Sequence, residues 1–213
     1  LGNLWGLSWP TIITQAVTTL GPTIDMIWVG RLGTAAIAGV GISGMVVQLV
    51  GAVRTGLQTG TRALVARSIG AGNEKDANNV ANQSFVISIA FAIVMAVIGI
   101  LWTRQMLLVF GLEADAVDQG AAYLRIQLVG MVTMSFQMLS QSLMQASGDA
   151  KTPMRISIVT RIFHVALSPF LIFGWWIFPR MGVSGASLTN VISQGVAGGW
   201  GMWMLYSGRT RIK

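Results

Sequence analysis

The chain contains no cysteine, a single histidine and only seven acidic residues, and charged side chains of either sign make up 10% of its 213 residues. Without cysteine, disulfides and thiolate-bound metals are excluded. One histidine with no carboxylate nearby in sequence offers no metal-ligand spacing either, so no metal or other cofactor is expected. A charged fraction so far below the roughly 25% of a soluble domain cannot build an ordinary water-facing surface. The expected solvent, and first partner, is therefore a lipid bilayer. Fourteen Lys and Arg residues leave a formal net charge of +7, but they lie between apolar segments and form no basic run, so no nucleic-acid partner is expected. What the chain has in quantity is hydrophobic residues, 53%, with 26 glycines, 12 methionines and eight tryptophans. These suit close helix packing and interfacial anchoring in a membrane. Leu1 is followed by no charged n-region and no small-residue cleavage pattern, so no signal peptide is expected.

A membrane-spanning helix needs about 20 mostly apolar residues. Six windows of low charge meet this and predict helices over about 7–30, 35–69, 77–102, 119–147, 153–174 and 182–207. None shows the alternation of a β-barrel strand, so the expected fold is an all-α membrane protein, one six-helix bundle over residues 1–213. Most separators are short and rich in turn residues, such as Arg31-Leu32-Gly33 and Gly70-Ala71-Gly72-Asn73, which predicts sequential helices as antiparallel neighbours. The separator from Arg104 to Asp118 is longer, and a short interfacial helix is expected over 106–110. Arg67, Lys75, Lys151, Arg155, Arg209, Arg211 and Lys213 collect at one set of helix ends, against Arg31, Arg104 and Arg180 at the other. The richer side is expected in the cytoplasm, with both termini.

The third helix is apolar all round from Ile89 to Leu101 and is expected to face lipid. The other five carry polar stripes. On the first, Thr11, Gln15, Thr18, Pro22 and Asp25 recur at spacings of three and four, which is one helix face. The second offers Gln48, Thr55, Gln58, Thr59 and Arg62; the fourth Gln137, Gln141 and Gln145; the fifth Ser157, Arg161, His164 and Ser168; the sixth Ser187, Asn190 and Gln194. One such stripe is explained by hydrogen-bond glue between helices. Five together point to a polar pathway, because polar groups in hydrocarbon must face one another or water.

Asp25 is the one acid inside any window. Pro22, one turn before it, has no N–H to give and leaves the Thr18 carbonyl without its usual partner. A carboxylate beside a loosened turn suits a cation or proton site; the alternative is an interfacial Asp capped by Arg31. His164 reads equally as a packed, hydrogen-bonded side chain or as a proton carrier, imidazole being the side chain that ordinarily changes charge between pH 5 and 8. Gly41-Ile42-Ser43-Gly44 and Gly182-Val183-Ser184-Gly185 both fit G-x-S-G, a motif of six-helix intramembrane serine proteases, although so many glycines produce this pattern by chance and helix packing explains both strings.

Several ordered strings resemble multidrug and toxic compound extrusion (MATE) transporters. Asp25-Met26-Ile27-Trp28-Val29-Gly30-Arg31-Leu32-Gly33 is similar to the end of that family's first helix. Ala63 to Gly72 is similar to the exit of its second, Gln145 to Met154 to its loop between helices four and five, Ser168-Pro169-Phe170-Leu171-Ile172-Phe173-Gly174 to its fifth helix, and Gly182 to Thr189 to the start of its sixth. The resemblance, to the DinF-type branch, implies that the chain is the N-terminal six-helix lobe of a two-lobe transporter in a prokaryotic plasma (inner) membrane. It implies export of organic cations or other amphiphiles by alternating access, driven by Na⁺ or H⁺, with a second lobe supplied by a C-terminal half or another copy. Carried over by position, the family's cation site falls on Asp25, His164, Ser168 and Thr189. Two of these depart from the family's Asn and Asp, which removes a carboxylate and favours H⁺ over Na⁺, since hard cations rely on anionic oxygen. The expected substrate pathway comprises Gln15, Gln58, Gln137, Gln141, Arg161 and Asn190. Arg54 and Arg161 also make a positive cavity conceivable, as in the related flippases of lipid-linked sugars, so a flippase or exporter of anionic amphiphiles is the alternative.

Overall fold

The computed structural model describes residues 2–175 and 178–207, so Arg209, Arg211 and Lys213 of the basic count lie outside the described residues. Within these, the elements are α1 (Gly2–Gly30), α2 (Thr34–Gly70), α3 (Glu74–Val109), α4 (Ala114–Val129), α5 (Met131–Ala146), α6 (Lys151–Phe173) and α7 (Val183–Tyr206), with no strand. The all-α expectation holds, but the expected six helices are seven among the described residues. The fourth predicted helix divides at Gly130, where a Cβ would collide with the Val191 side chain of α7. Thr133 Oγ1, 2.7 Å from the Gly130 carbonyl and 3.4 Å from that of Val191, fastens the break to α7. Apolar length cannot show such a break, because the residues on either side of Gly130, Ile126 to Val129 and Met131 to Met134, are uncharged and mostly apolar.

The third helix begins before its expected start because Asn73 caps it: the Asn73 side chain accepts from the Asp76 N–H at 3.1 Å, and Glu74 and Asp76 in the first turn complement the helix dipole. It also runs on to Val109, so the segment expected as a separate interfacial helix forms the last turns of α3. Gly111, at φ 72°, then turns the chain.

The α3 helix shows the bilayer a broad apolar face that includes Val86, Ile93, Val97 and Leu101, all exposed on the bundle. Among the described residues three helices, α2, α3 and α6, are long and apolar enough to cross a membrane by length and composition. Where backbones approach closely, small residues are required. At the crossing of α2 and α4, a Cβ on Gly120 would lie 2.8 Å from the Gly39 carbonyl oxygen, and Ser43 Oγ sits 2.6 Å from the Gly39 carbonyl and 3.0 Å from that of Gly120.

Sequential helices are not all close neighbours. The α2–α3, α3–α4 and α6–α7 pairs pack along their lengths, whereas α1 lies mainly against α6, α5 against α7, and the α1–α2 and α5–α6 pairs touch little. The two loose pairs bear four of the polar stripes, and between them lies the interior space described below. Arg31 and Lys151 cap helices separated by three passes of the chain, which puts them at opposite ends of the bundle. Because the chain has no cysteine, single cysteines at these two positions are the only thiols present. An impermeant maleimide is expected to label them from opposite faces of the membrane; labelling of both from one face would overturn this arrangement of passes.

Candidate functional site

Asp25 lies in the last turns of α1, 2% exposed, and faces α6. There His164 Nε2 is 3.3 Å from Asp25 Oδ1, and Ser168 Oγ donates to the same oxygen at 3.4 Å. His164 and Ser168 are themselves buried and, four residues apart, share one face of α6. The imidazole is at ion-pair distance but off the hydrogen-bond direction, and Asp25 Oδ2 and His164 Nδ1 have no hydrogen-bond partner among the described residues. Arg31 does not cap Asp25; its guanidinium stands 4.9 Å from the centre of the Trp28 ring. The reading of Asp25 as an arginine-capped interfacial residue therefore fails.

Thr189 is fully buried on α7, with its hydroxyl donating to the Gly185 carbonyl at 2.7 Å. No hydrogen bond joins it to Asp25 among the described residues. Three of the four residues in the expected coupling site thus come together, and the fourth is engaged with its own helix.

The carbonyl freed by Pro22 is met from across the bundle: Arg161 Nη2 of α6 donates to the Thr18 oxygen at 3.3 Å. Gly21 makes this possible, because a Cβ there would occupy the place of the Arg161 guanidinium. The proline, the glycine and the arginine thus form one device that ties α1 to α6 a turn away from the Asp25–His164 pair. Pro22 and its orphan carbonyl are visible in sequence. Their partner, 143 residues away, is not.

Between the loosely packed helices lies a cavity of about 310 Å³ that brings together Gln15, Gln58, Gln137, Gln141 and Arg161, with Arg54, Arg62, Gln145 and Gln194. Asn190 is not on its wall. It lines a neighbouring space of about 20 Å³, together with Gln137, Thr160, Arg161, His164, Ser193 and Gln194. A volume of this size admits about one water molecule. Gln137, Arg161 and Gln194 line both spaces, so the small one stands between His164 and the large one.

The cavity walls are fixed by bonds within and between helices. Gln141 Nε2 donates to Ser157 Oγ at 3.0 Å, Gln58 Nε2 to the Met138 carbonyl at 3.3 Å, and Gln194 to Asn190. Sequence reading does not single out Thr160 and Ser193. Ser193 lies three residues beyond Asn190, within the same stripe, and spacing alone is the available signal. Neither serine of the G-x-S-G strings is placed for catalysis: Ser43 is locked in the α2–α4 crossing, and Ser184 lines an outer depression with Arg180 and Asp118, while His164 is committed to Asp25.

A bundle with lipid-length apolar helices outside, and an ionisable pair beside a polar cavity inside, is a polytopic membrane protein built around a hydrophilic interior. The chain belongs to the MatE family, whose model matches residues 10–170. It is similar to the probable multidrug resistance protein YoeA of Bacillus subtilis strain 168, 29% identical over 185 residues that cover 86% of this chain and 40% of that protein. It is also similar to the FAD transporter of Shewanella oneidensis, 24% identical over 195 residues covering 91% of this chain and 43% of that one. Among solved structures it matches a MOP superfamily transporter from Pyrococcus furiosus, described by a binding pocket of reverse polarity, with a TM-score of 0.88 and 27% identity over 97% of this chain and 45% of the other. The chain thus spans less than half the length of these relatives.

Proposed function

We propose that this chain is one lobe of a proton-coupled secondary transporter that exports amphiphilic compounds by alternating access across a prokaryotic plasma membrane, with the Lys151 end of the bundle in the cytoplasm. The observation that carries the reading is the buried Asp25–His164–Ser168 cluster, separated from the polar cavity by a space of one-water size. In this reading the carboxylate and the imidazole together hold the coupling proton. With one proton shared between them the pair is compact and neutral overall; a second proton leaves a neutral carboxyl and an imidazolium, which no longer attract as ions. Proton uptake therefore changes the contact between α1 and α6, the two helices on which an access change at this end of the bundle would turn. The alternating-access cycle supplies the second state whose population the proton shifts.

The donor set favours H⁺ over Na⁺. A hard cation collects several oxygens, anionic ones above all, whereas here the cluster offers one carboxylate and one hydroxyl, and a nitrogen occupies the third place. The charge of the cargo is not fixed by kinship: YoeA carries a multidrug name, while FAD, a pyrophosphate anion, gives another relative its name. The polar cavity suits a cargo with a hydrophilic head.

His164→Gln in the assembled transporter tests the coupling. Because this reading makes the imidazole beside Asp25 a proton carrier, flux into an acidic compartment is expected to show a step with pH in the wild type. It should lose this step in the variant, in which glutamine keeps a polar group near Asp25 but cannot titrate. A pH profile identical in the two proteins would remove His164 from coupling.

A further inference from the structure

The large cavity carries a charge that the proton pair does not use. Of its fourteen lining residues three are arginines, Arg54, Arg62 and Arg161, and none is acidic. Among the described residues these three have no carboxylate partner, since the ion pairs found are Arg104–Asp118 and Asp25–His164. Arg62 is held by Gln145 at 2.8 Å and Arg161 by the Thr18 carbonyl at 3.3 Å. Arg54 Nε and Nη1 and Arg161 Nε are buried without an acceptor. Cationic donors left unpaired inside a membrane bundle are costly, and three around one space repel each other as well. Their chemical complement is an oxyanion, which a guanidinium can grip through two N–H groups at once.

The same space opens into a second of about 840 Å³ that shares Arg62 with it and adds apolar wall from Ile12, Ala63, Ala66 and Ala146. One end of the combined site is therefore cationic and the other largely aliphatic. We infer that the cavity binds an anionic amphiphile, its phosphate or carboxylate group held by Arg54, Arg62 and Arg161 and its apolar body in the adjoining chamber. That the ligand is cargo rests on the transporter reading above; that it binds does not.

Isothermal titration of the purified chain in dodecyl maltoside tests the site with matched probes: 1-naphthyl phosphate, 1-naphthylmethylammonium, which has a similar aromatic body and the opposite charge, and inorganic phosphate. The ester is expected to bind about tenfold or more tighter than the ammonium, to weaken as salt is raised, and to exceed inorganic phosphate, which has no body for the chamber. Arg54→Gln should weaken the ester about tenfold, and Arg54→Lys, which keeps the charge, should lose less. Equal or tighter binding of the ammonium would overturn the assignment, and the wild-type comparison stands even if a variant fails to fold. Inorganic phosphate binding as tightly as the ester would overturn the amphiphilic part, and an Arg54→Gln protein of unchanged helix content and affinity would overturn the role of Arg54. Preferential ester binding without proton-driven flux would discard the coupling and keep this site. Proton-driven flux with ammonium preferred would do the reverse.

Discussion

Asp25→Asn is expected to abolish the proton-driven component of flux in the assembled transporter while the lobe stays folded. The amide side chain has nearly the volume of the carboxylate and its oxygen could still accept from Ser168 Oγ, which donates to Asp25 Oδ1 at 3.4 Å. The buried pocket is thus neither emptied nor overfilled, and the stability change is expected to stay within about 1–2 kcal/mol. The change in chemistry is larger. An amide cannot take up a proton in the working pH range, so the substitution removes the one buried acid among the described residues and with it the proposed proton partner of His164. Flux measured in proteoliposomes with and without an imposed pH gradient separates the two effects: the gradient-dependent part should fall to background, while substrate exchange at equal pH should persist. If the gradient still drives full flux through Asp25→Asn, Asp25 is structural and the coupling site lies elsewhere.

How much of this is legible in the sequence depends on the reach of each interaction. Features set by neighbours on one helix are readable. The stripe from Thr11 to Asp25 places Gln15 and Thr18 on one face, and the structure sets both on the cavity wall. His164 and Ser168, one turn apart, do meet the same carboxylate oxygen. Pro22 does leave the Thr18 carbonyl without a helical partner.

Features set by contact between distant segments are not readable. The fourth predicted helix divides at Gly130, beside Val191 of α7, whose side chain leaves no room for a Cβ, and nothing in residues 119–147 announces that neighbour. Arg161 reads in sequence as an unusual charge, whereas Gly21 shows where its guanidinium goes. The splaying of α1 from α2 and of α5 from α6 is hidden as well, since short connecting turns bring helix ends together without requiring the shafts to pack. In each case the missing information is the identity of the facing residue rather than the preference of the segment itself.

The lobe on its own is expected not to transport as a monomer, although it should remain inserted and helical. Gln15, Thr55, Thr59 and Arg62 are exposed on the bundle, and all but Thr55 line the large cavity. The adjoining chamber of about 840 Å³ is likewise bounded on the α1–α2 side by exposed polar groups such as Thr11 and Gln15. Facing lipid, the Arg62 charge would cost free energy that its bond to the Gln145 amide oxygen does not offset, because hydrocarbon solvates neither the charge nor the rest of the guanidinium. A second lobe placed over this side would close the cavity from the bilayer, leave it open to water at one membrane face at a time, and set the binding site between two repeats near the midplane, where carriers built from repeats place it. The coverage of relatives is in keeping with this, since the chain spans 40% of YoeA and 45% of the Pyrococcus transporter. The proposed second lobe would be either a C-terminal half or a further copy of this chain, and mass measurement in mild detergent distinguishes them by whether the chain pairs with itself. Combined with reconstitution, the expected result is no flux above empty vesicles from a monomer, and recovery when the complementary lobe is present. A monomer that moves substrate under a pH gradient would mean that the seven described helices already enclose a complete pathway, and the two-lobe reading would fall.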